Sequence, residues 1–170
     1  FPRGGMTVKT NEPLYREFED QRHLFPLKEY AQQLGIPLPK LLSPFKVKVH
    51  SEDISVGLLI CEDVWVNDYV YNGKMLSPAE TLAKKGAQLL VCISTSPFGW
   101  YKNDARKRRI NQVQKGLHNA GYSLPMVYVD NVGGQNNGKN EFVFDGRSAV
   151  FAGDVKQVFE TPAWQEGIFY

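Results

Sequence analysis

At 170 residues the chain is long enough for one domain with its own core, and 42% hydrophobic with 22% charged residues is an ordinary globular composition. A net charge of +2 makes no electrostatic case for nucleic acid or a membrane surface. No apolar run approaches the length of a bilayer span, no signal peptide opens the chain, and Cys61 and Cys92 lack framework spacing. These features predict free thiols in a reducing, cytoplasmic setting.

In chain order, Val8 to His23 reads as a strand end passing into a loop dense in charge and aromatics, with Pro13 inside it. Leu27 to Leu34 has a helical pattern closed by Gly35, and a proline-punctuated loop through Pro37, Pro39 and Pro44 comes next. Phe45 to Val49 alternates strictly and predicts a half-exposed strand. It is expected to pair, through a turn at Ser51-Glu52-Asp53, with the strand leading to Cys61. That strand, Ile54 to Ile60, is nearly continuous in apolar residues, as for a strand covered on both faces. It stops at Cys61-Glu62-Asp63-Val64-Trp65, the place where an open α/β sheet presents its chemistry.

A polar loop is expected from Trp65 to about Leu76. Ser77-Pro78-Ala79-Glu80 then has the form of a helix start: hydroxyl cap, proline in the first turn, acid after it. Gln88 to Ser94 predicts a second buried strand, Asn103 to Ala120 a long helix ended by Gly121, and Met126 to Val132 a third buried strand. Glu141 to Phe151 is expected to be a hairpin around Asp145-Gly146, and Val155 to Phe159 a further strand. The alternation of strands and helices, then strands alone, predicts an α/β fold with a later antiparallel portion.

Several of these blocks together resemble a known family. Lys9 with Pro13, Tyr15, Phe18 and Arg22, then Ile60-Cys61-Glu62-Asp63-Val64-Trp65, resembles the carbon–nitrogen hydrolase (nitrilase) superfamily. Tyr15-Arg16-Glu17-Phe18, Ser94-Thr95-Ser96-Pro97-Phe98 and Val129 to Gln135 with Val143 to Ser148 are similar to the glutaminase domain of glutamine-dependent NAD synthetases.

The resemblance implies a four-layer αββα sandwich and a Glu-Lys-Cys triad. Cys61 matches the nucleophile and Lys9 the lysine that stabilises the tetrahedral intermediate. The family's general-base glutamate precedes that lysine, and residues 1–8 hold no acid. Residues 1–170 are therefore expected to be a single partial nitrilase-like domain, without its N-terminal portion or the downstream synthetase domain.

The resemblance further implies Tyr15 and Phe18 as pocket walls, and Glu62 and Ser96 as partners of the α-amino group of glutamine. Lys102 falls where arginine can bind the α-carboxylate, and keeps the charge without the bidentate fork. Asp20 replaces the glutamate that steadies the lysine. Asp63 and Trp65 are expected to support the Cys61 turn. No cofactor is implied for this domain, since ATP and deamido-NAD belong to the synthetase domain.

His23, His50 and His118 show no ligand spacing, so no metal is predicted. Arg106-Lys107-Arg108-Arg109 is expected to lie on a solvated helix with one or two salt bridges. The expected partners are glutamine and the synthetase domain or missing N-terminal half, with homo-oligomerisation, and no nucleic acid or membrane. The competing readings are a freestanding amidase with another substrate and a non-catalytic truncated domain.

Overall fold

The computed structural model describes residues 7–14, 18, 20 and 24–170, apart from the Asn67 side chain. Its frame is a six-stranded sheet whose neighbours, from one edge to the other, are β1 (Phe45–Val49), β2 (Glu52–Ile60), β5 (Leu89–Ser94), β6 (Met126–Asp130), β9 (Ala149–Phe151) and β10 (Gln157–Glu160). The three central strands run parallel, with Leu58 opposite Val91 and Val91 opposite Val127. Antiparallel strands extend both edges.

Two crossover helices lie on one face. In α3 (Pro78–Lys84) the Ser77 hydroxyl accepts from the Glu80 N–H at 3.2 Å, the cap that the sequence predicts. α4 (Lys102–Asn119) comes after β5 and returns the chain to β6. Because side chains alternate along a strand, Leu59, Leu90, Cys92, Met126, Tyr128, Ala149 and Phe151 point towards these helices. There they meet Ala79, Leu82, Ile110, Val113 and Leu117 in the main core. Leu58, Ile60, Val91, Ile93, Val127, Val129 and Val150 take the other face, where Ile93 is 54% and Val129 42% exposed. The expectation of strands covered on both faces thus holds for one face among the described residues. The apolar run could not reveal this, since both faces carry the same residue types.

A second, smaller core joins the segment around Val8 to residues 27–42 and 71–76. α1 (Leu27–Leu34) and the single turn α2 (Leu38–Leu41) bury Leu27, Ala31, Leu38 and Leu42 against Val8, Tyr71 and Leu76. Gly35 closes α1 at φ 61°, a left-handed conformation that glycine adopts without a Cβ penalty.

Four sequence expectations are corrected. Residues 37–42 form a helical turn rather than a loop, because Pro37 and Pro39 sit at its start, where a missing N–H costs nothing. Within the expected polar loop, β3 (Val70–Tyr71) and β4 (Lys74–Met75) pair across Asn72-Gly73, both at positive φ. The β1–β2 turn is His50-Ser51, and Glu52 and Asp53, expected in the turn, pair with Val49 and Lys48 instead.

The hairpin around Asp145-Gly146 does not form. β8 (Glu141–Asp145) pairs with β7 (Val132–Asn136), while β9 joins the edge of β6 and buries Ala149 and Phe151 in the main core. The turn that is made lies at Asn137–Asn140, where the Asn137 Oδ1 accepts two backbone N–H groups. Gly146, at φ 69°, carries the chain between the two sheets.

Candidate active site

The strands β2, β5 and β6 end side by side, and their last residues bring Cys61, Ser94 and Asp130 to one rim of the sheet. Cys61 begins a 3₁₀ turn, Cys61–Val64, at φ 44°. A β-substituted residue at positive φ is uncommon and is held only where its surroundings over-determine it. Here they do. The Asp63 carboxylate, fully buried, accepts from the Ile60 N–H at 3.0 Å, closing the turn. It also accepts from the Thr10 and Asn11 N–H groups at 3.0 and 2.9 Å. One side chain therefore ties the Cys61 turn to the segment that carries Lys9. The Lys9 carbonyl is held in turn by the Leu27 N–H at 3.1 Å.

The Lys9 ammonium pairs with the Asp20 carboxylate, so the shorter side chain at this position does reach the lysine. Lys9 is also close enough to Cys61 and Glu62 to favour their ionised forms. Burial pushes the Cys61 thiol above its ordinary range. A hydrogen bond from Ser94, the charge of Lys9 and the Thr95 N–H pull against that push, and Glu62 adds to it. Glu62 is buried and accepts from Tyr69 Oη at 2.8 Å. Burial raises its pKa, opposed by Tyr69, Lys9 and Lys102. Tyr69 was not singled out in the sequence, where only its place after a turn could have signalled it.

Lys102 lies over the Trp65 ring at 4.7 Å and Arg109 at 4.9 Å, so Trp65 carries two cations at the edge of the core. Ser96 sits further in. It is buried, its Oγ accepts from Arg106 Nε at 3.2 Å, and its N–H donates to Asp130 Oδ1 at 2.8 Å. Phe18 stacks on Phe142 with ring centres 6.3 Å apart. It lines a cavity of about 360 Å³ with Thr95, Pro97, Gln135, Asn136, Asn137, Phe142 and Phe144. Thr95 thus joins that cavity to Cys61. Tyr15 lies outside the described residues.

The basic cluster is corrected. Arg106 faces inward, 3% exposed, and bridges Asp130 at 3.3 Å, Asp145 at 2.9 Å and the Ser96 carbonyl at 2.6 Å. Four consecutive basic residues cover most of a helix's circumference, so one of them must meet the sheet, and two buried carboxylates wait there. Both cysteines are free thiols. Among the described residues no cluster of His, Cys, Asp and Glu could hold a metal ion, and no helix is long and apolar enough to cross a membrane.

The fold has counterparts among solved structures. A carbon–nitrogen hydrolase from Helicobacter pylori superposes with a TM-score of 0.65 at 20% identity, covering 93% of this chain and 48% of that one. The glutamine-dependent NAD+ synthetase of Acinetobacter baumannii does so with a TM-score of 0.64 at 23% identity, over 94% of this chain and 24% of that one. No protein-family model matches. The chain thus has the fold of these carbon–nitrogen hydrolase proteins.

Its curated relatives are glutamine-dependent NAD+ synthetases. The Aquifex aeolicus protein is 31% identical over 125 residues, 74% of this chain and 19% of the relative. The Acinetobacter baylyi protein is 24% identical over 166 residues, 98% of this chain and 24% of the relative. The chain thus spans about a quarter or less of the relatives it matches.

Proposed function

We propose that this chain is the part of a glutaminase that carries the nucleophile, releasing ammonia from the side-chain amide of glutamine for an NAD-synthesising partner domain. The observation that carries this reading is the convergence on Cys61. A thiol is held at positive φ at a strand end, in a turn that Asp63 ties to the segment carrying Lys9, whose charge favours the thiolate. Related proteins support amide hydrolysis in general.

In the proposed reaction the Cys61 Sγ attacks the amide carbon and its proton passes to a carboxylate base. Lys9 stabilises the oxyanion that forms. Collapse breaks the C–N bond, and the nitrogen leaves as ammonia with the proton returned by the base. Water then attacks the thioester, giving glutamate and the free thiol. The superfamily takes its base from a glutamate preceding the lysine. Within the described residues, the carboxylate acting on Cys61 is Glu62. Phe18 would wall the substrate pocket with Tyr15, while Glu62 and Ser96 accept from the α-amino group and Lys102 meets the α-carboxylate.

The test is covalent labelling by a glutamine analogue bearing a diazoketone in place of the side-chain amide, which requires the nucleophile and pocket but not the full cycle. Label is expected on Cys61, absent in Cys61→Ala, and reduced by excess glutamine but not by asparagine. Labelling indifferent to glutamine would favour an amidase with another substrate. No label at all would favour a non-catalytic domain. Ammonia release from glutamine by residues 1–170, with Cys61→Ala as the control, reads whether these residues supply a base of their own. Cys61-dependent turnover would assign the base to a carboxylate such as Glu62.

A further inference from the structure

The cavity beside Phe18 has two walls from different parts of the chain, and one side chain grips both. Thr95 and Pro97 on one wall flank Ser96, while Phe142 and Phe144 on the other belong to β8, which ends at Asp145. Arg106, on the second turn of α4, bridges Ser96 and Asp145. Its Nε donates to Ser96 Oγ at 3.2 Å and its Nη2 to the Ser96 carbonyl at 2.6 Å, with the Pro97 carbonyl 3.4 Å from the same nitrogen. Nε and Nη2 share one edge of the planar guanidinium, so their N–H groups take Ser96 as a fork. Nη1, outside that edge, donates to Asp145 Oδ1 at 2.9 Å.

Asp130 completes the grip. Its Oδ2 stands 3.3 Å from Arg106 Nε as an ion partner, and its Oδ1 accepts the Ser96 N–H at 2.8 Å. The N–H, carbonyl and hydroxyl of Ser96 are thus all held by the Arg106–Asp130 pair, and a residue fixed at all three fixes its neighbours Thr95 and Pro97. The two walls also meet directly, where the Phe98 N–H donates to the Val143 carbonyl at 2.7 Å. The Arg106 bridge, at the buried end of β8, is a second tie between the same walls.

We propose that Arg106 is a positioning residue of the substrate pocket: by gripping Ser96 and Asp145 together it sets the separation of the two walls that receive the glutamine side chain. This rests on the reading of the cavity as the glutamine pocket. The role is indirect, through the walls, and needs no contact between Arg106 and substrate. A lysine would offer the same charge to Asp130 and Asp145 but, as a point charge, has no planar fork with which to hold both sides.

The test measures the glutamine concentration that halves labelling of Cys61 by the diazoketone analogue, beside the rate of Cys61 alkylation by iodoacetamide, which needs no pocket. Arg106→Lys is expected to raise the half-protecting concentration about tenfold or more, the worth of a hydrogen bond to a charged group. It should also narrow the gap between glutamine and asparagine, while iodoacetamide alkylation changes far less. Val113→Ala, two turns further along α4 in the main core, is expected to lower the unfolding midpoint and leave protection in place. Protection undiminished in a folded Arg106→Lys protein, or weakened as much in Val113→Ala, overturns the proposal. If Arg106→Lys does not fold, Asp145→Asn, which keeps the shape and loosens the Nη1 contact, is read in its place, and undiminished protection there does the same. Label that glutamine does not protect even in the wild type overturns the glutamine reading and this proposal with it, so the two failures are told apart by the wild type.

Discussion

Asp63 accepts three backbone hydrogen bonds from two distant segments and is fully buried. An amide in its place turns an NH₂ towards backbone donors, so Asp63→Asn is expected to cost about 2–3 kcal/mol in denaturant unfolding. It should also slow Cys61 alkylation, since the Lys9 segment loses its tether. Burial pushes the Asp63 carboxyl up to about 6, against the pull of the Ile60, Asn11 and Thr10 N–H groups. A raised carboxyl value means that the folded protein keeps the proton when the unfolded chain has lost it. Stability from Asp63 therefore declines as pH rises from the ordinary range near ~3.9 to about 6, and levels off above it. Wild type and Asp63→Asn compared by unfolding across that window should show the steeper decline in the wild type, since Glu12, Glu62 and Asp130, also raised by burial, remain in both.

At the scale of elements, β2 and α3 meet through a glycine. A Cβ on Gly57 would stand 2.9 Å from Leu90 Cδ2 and 3.1 Å from Leu82 Cβ. Gly57→Ala is expected to cost about 1–3 kcal/mol by overpacking, measured as a lower unfolding midpoint. The main helices and parallel strands were legible because their signals are local: the Ser77-Pro78 start, the Gly35 stop and the apolar runs before Cys61 and Ser94. The β3–β4 hairpin has a strong turn signal in Asn72-Gly73, but its two-residue strands carry no alternation to read, and the sequence shows only a polar loop. The Asp145-Gly146 turn misled for a different reason. Its dipeptide fits a hairpin, but Asp145 is held by Arg106 and β9 gains more from the open edge of β6.

For the whole molecule, the sheet's two faces carry unequal weight. Leu59 is wholly buried against the helices, whereas Val129 on the opposite face is 42% exposed. Leu59→Ala is expected to cost about 2–5 kcal/mol and Val129→Ala under about 1 kcal/mol, as read by chemical denaturation of each variant. Equal losses would mean that the second face is as fully packed as the first. A groove of about 530 Å³ on that second face runs beside β6 and β9, bordered by Phe159, Ile168 and Phe169.

The order of the main strands and helices and the position of a thiol at a strand end were set by local pattern, which the sequence carries. So was the resemblance from Lys9 to Phe151, because it consists of ordered blocks. Which face of each strand is covered, and which partner each buried charge finds, were decided only in three dimensions. Arg106 reads as one more surface cation until α4 lies on the sheet. Asp130, Ser94 and Cys61 read as unrelated until three parallel strands end together. Periodicity says how a strand alternates, but register and crossover decide what it alternates between.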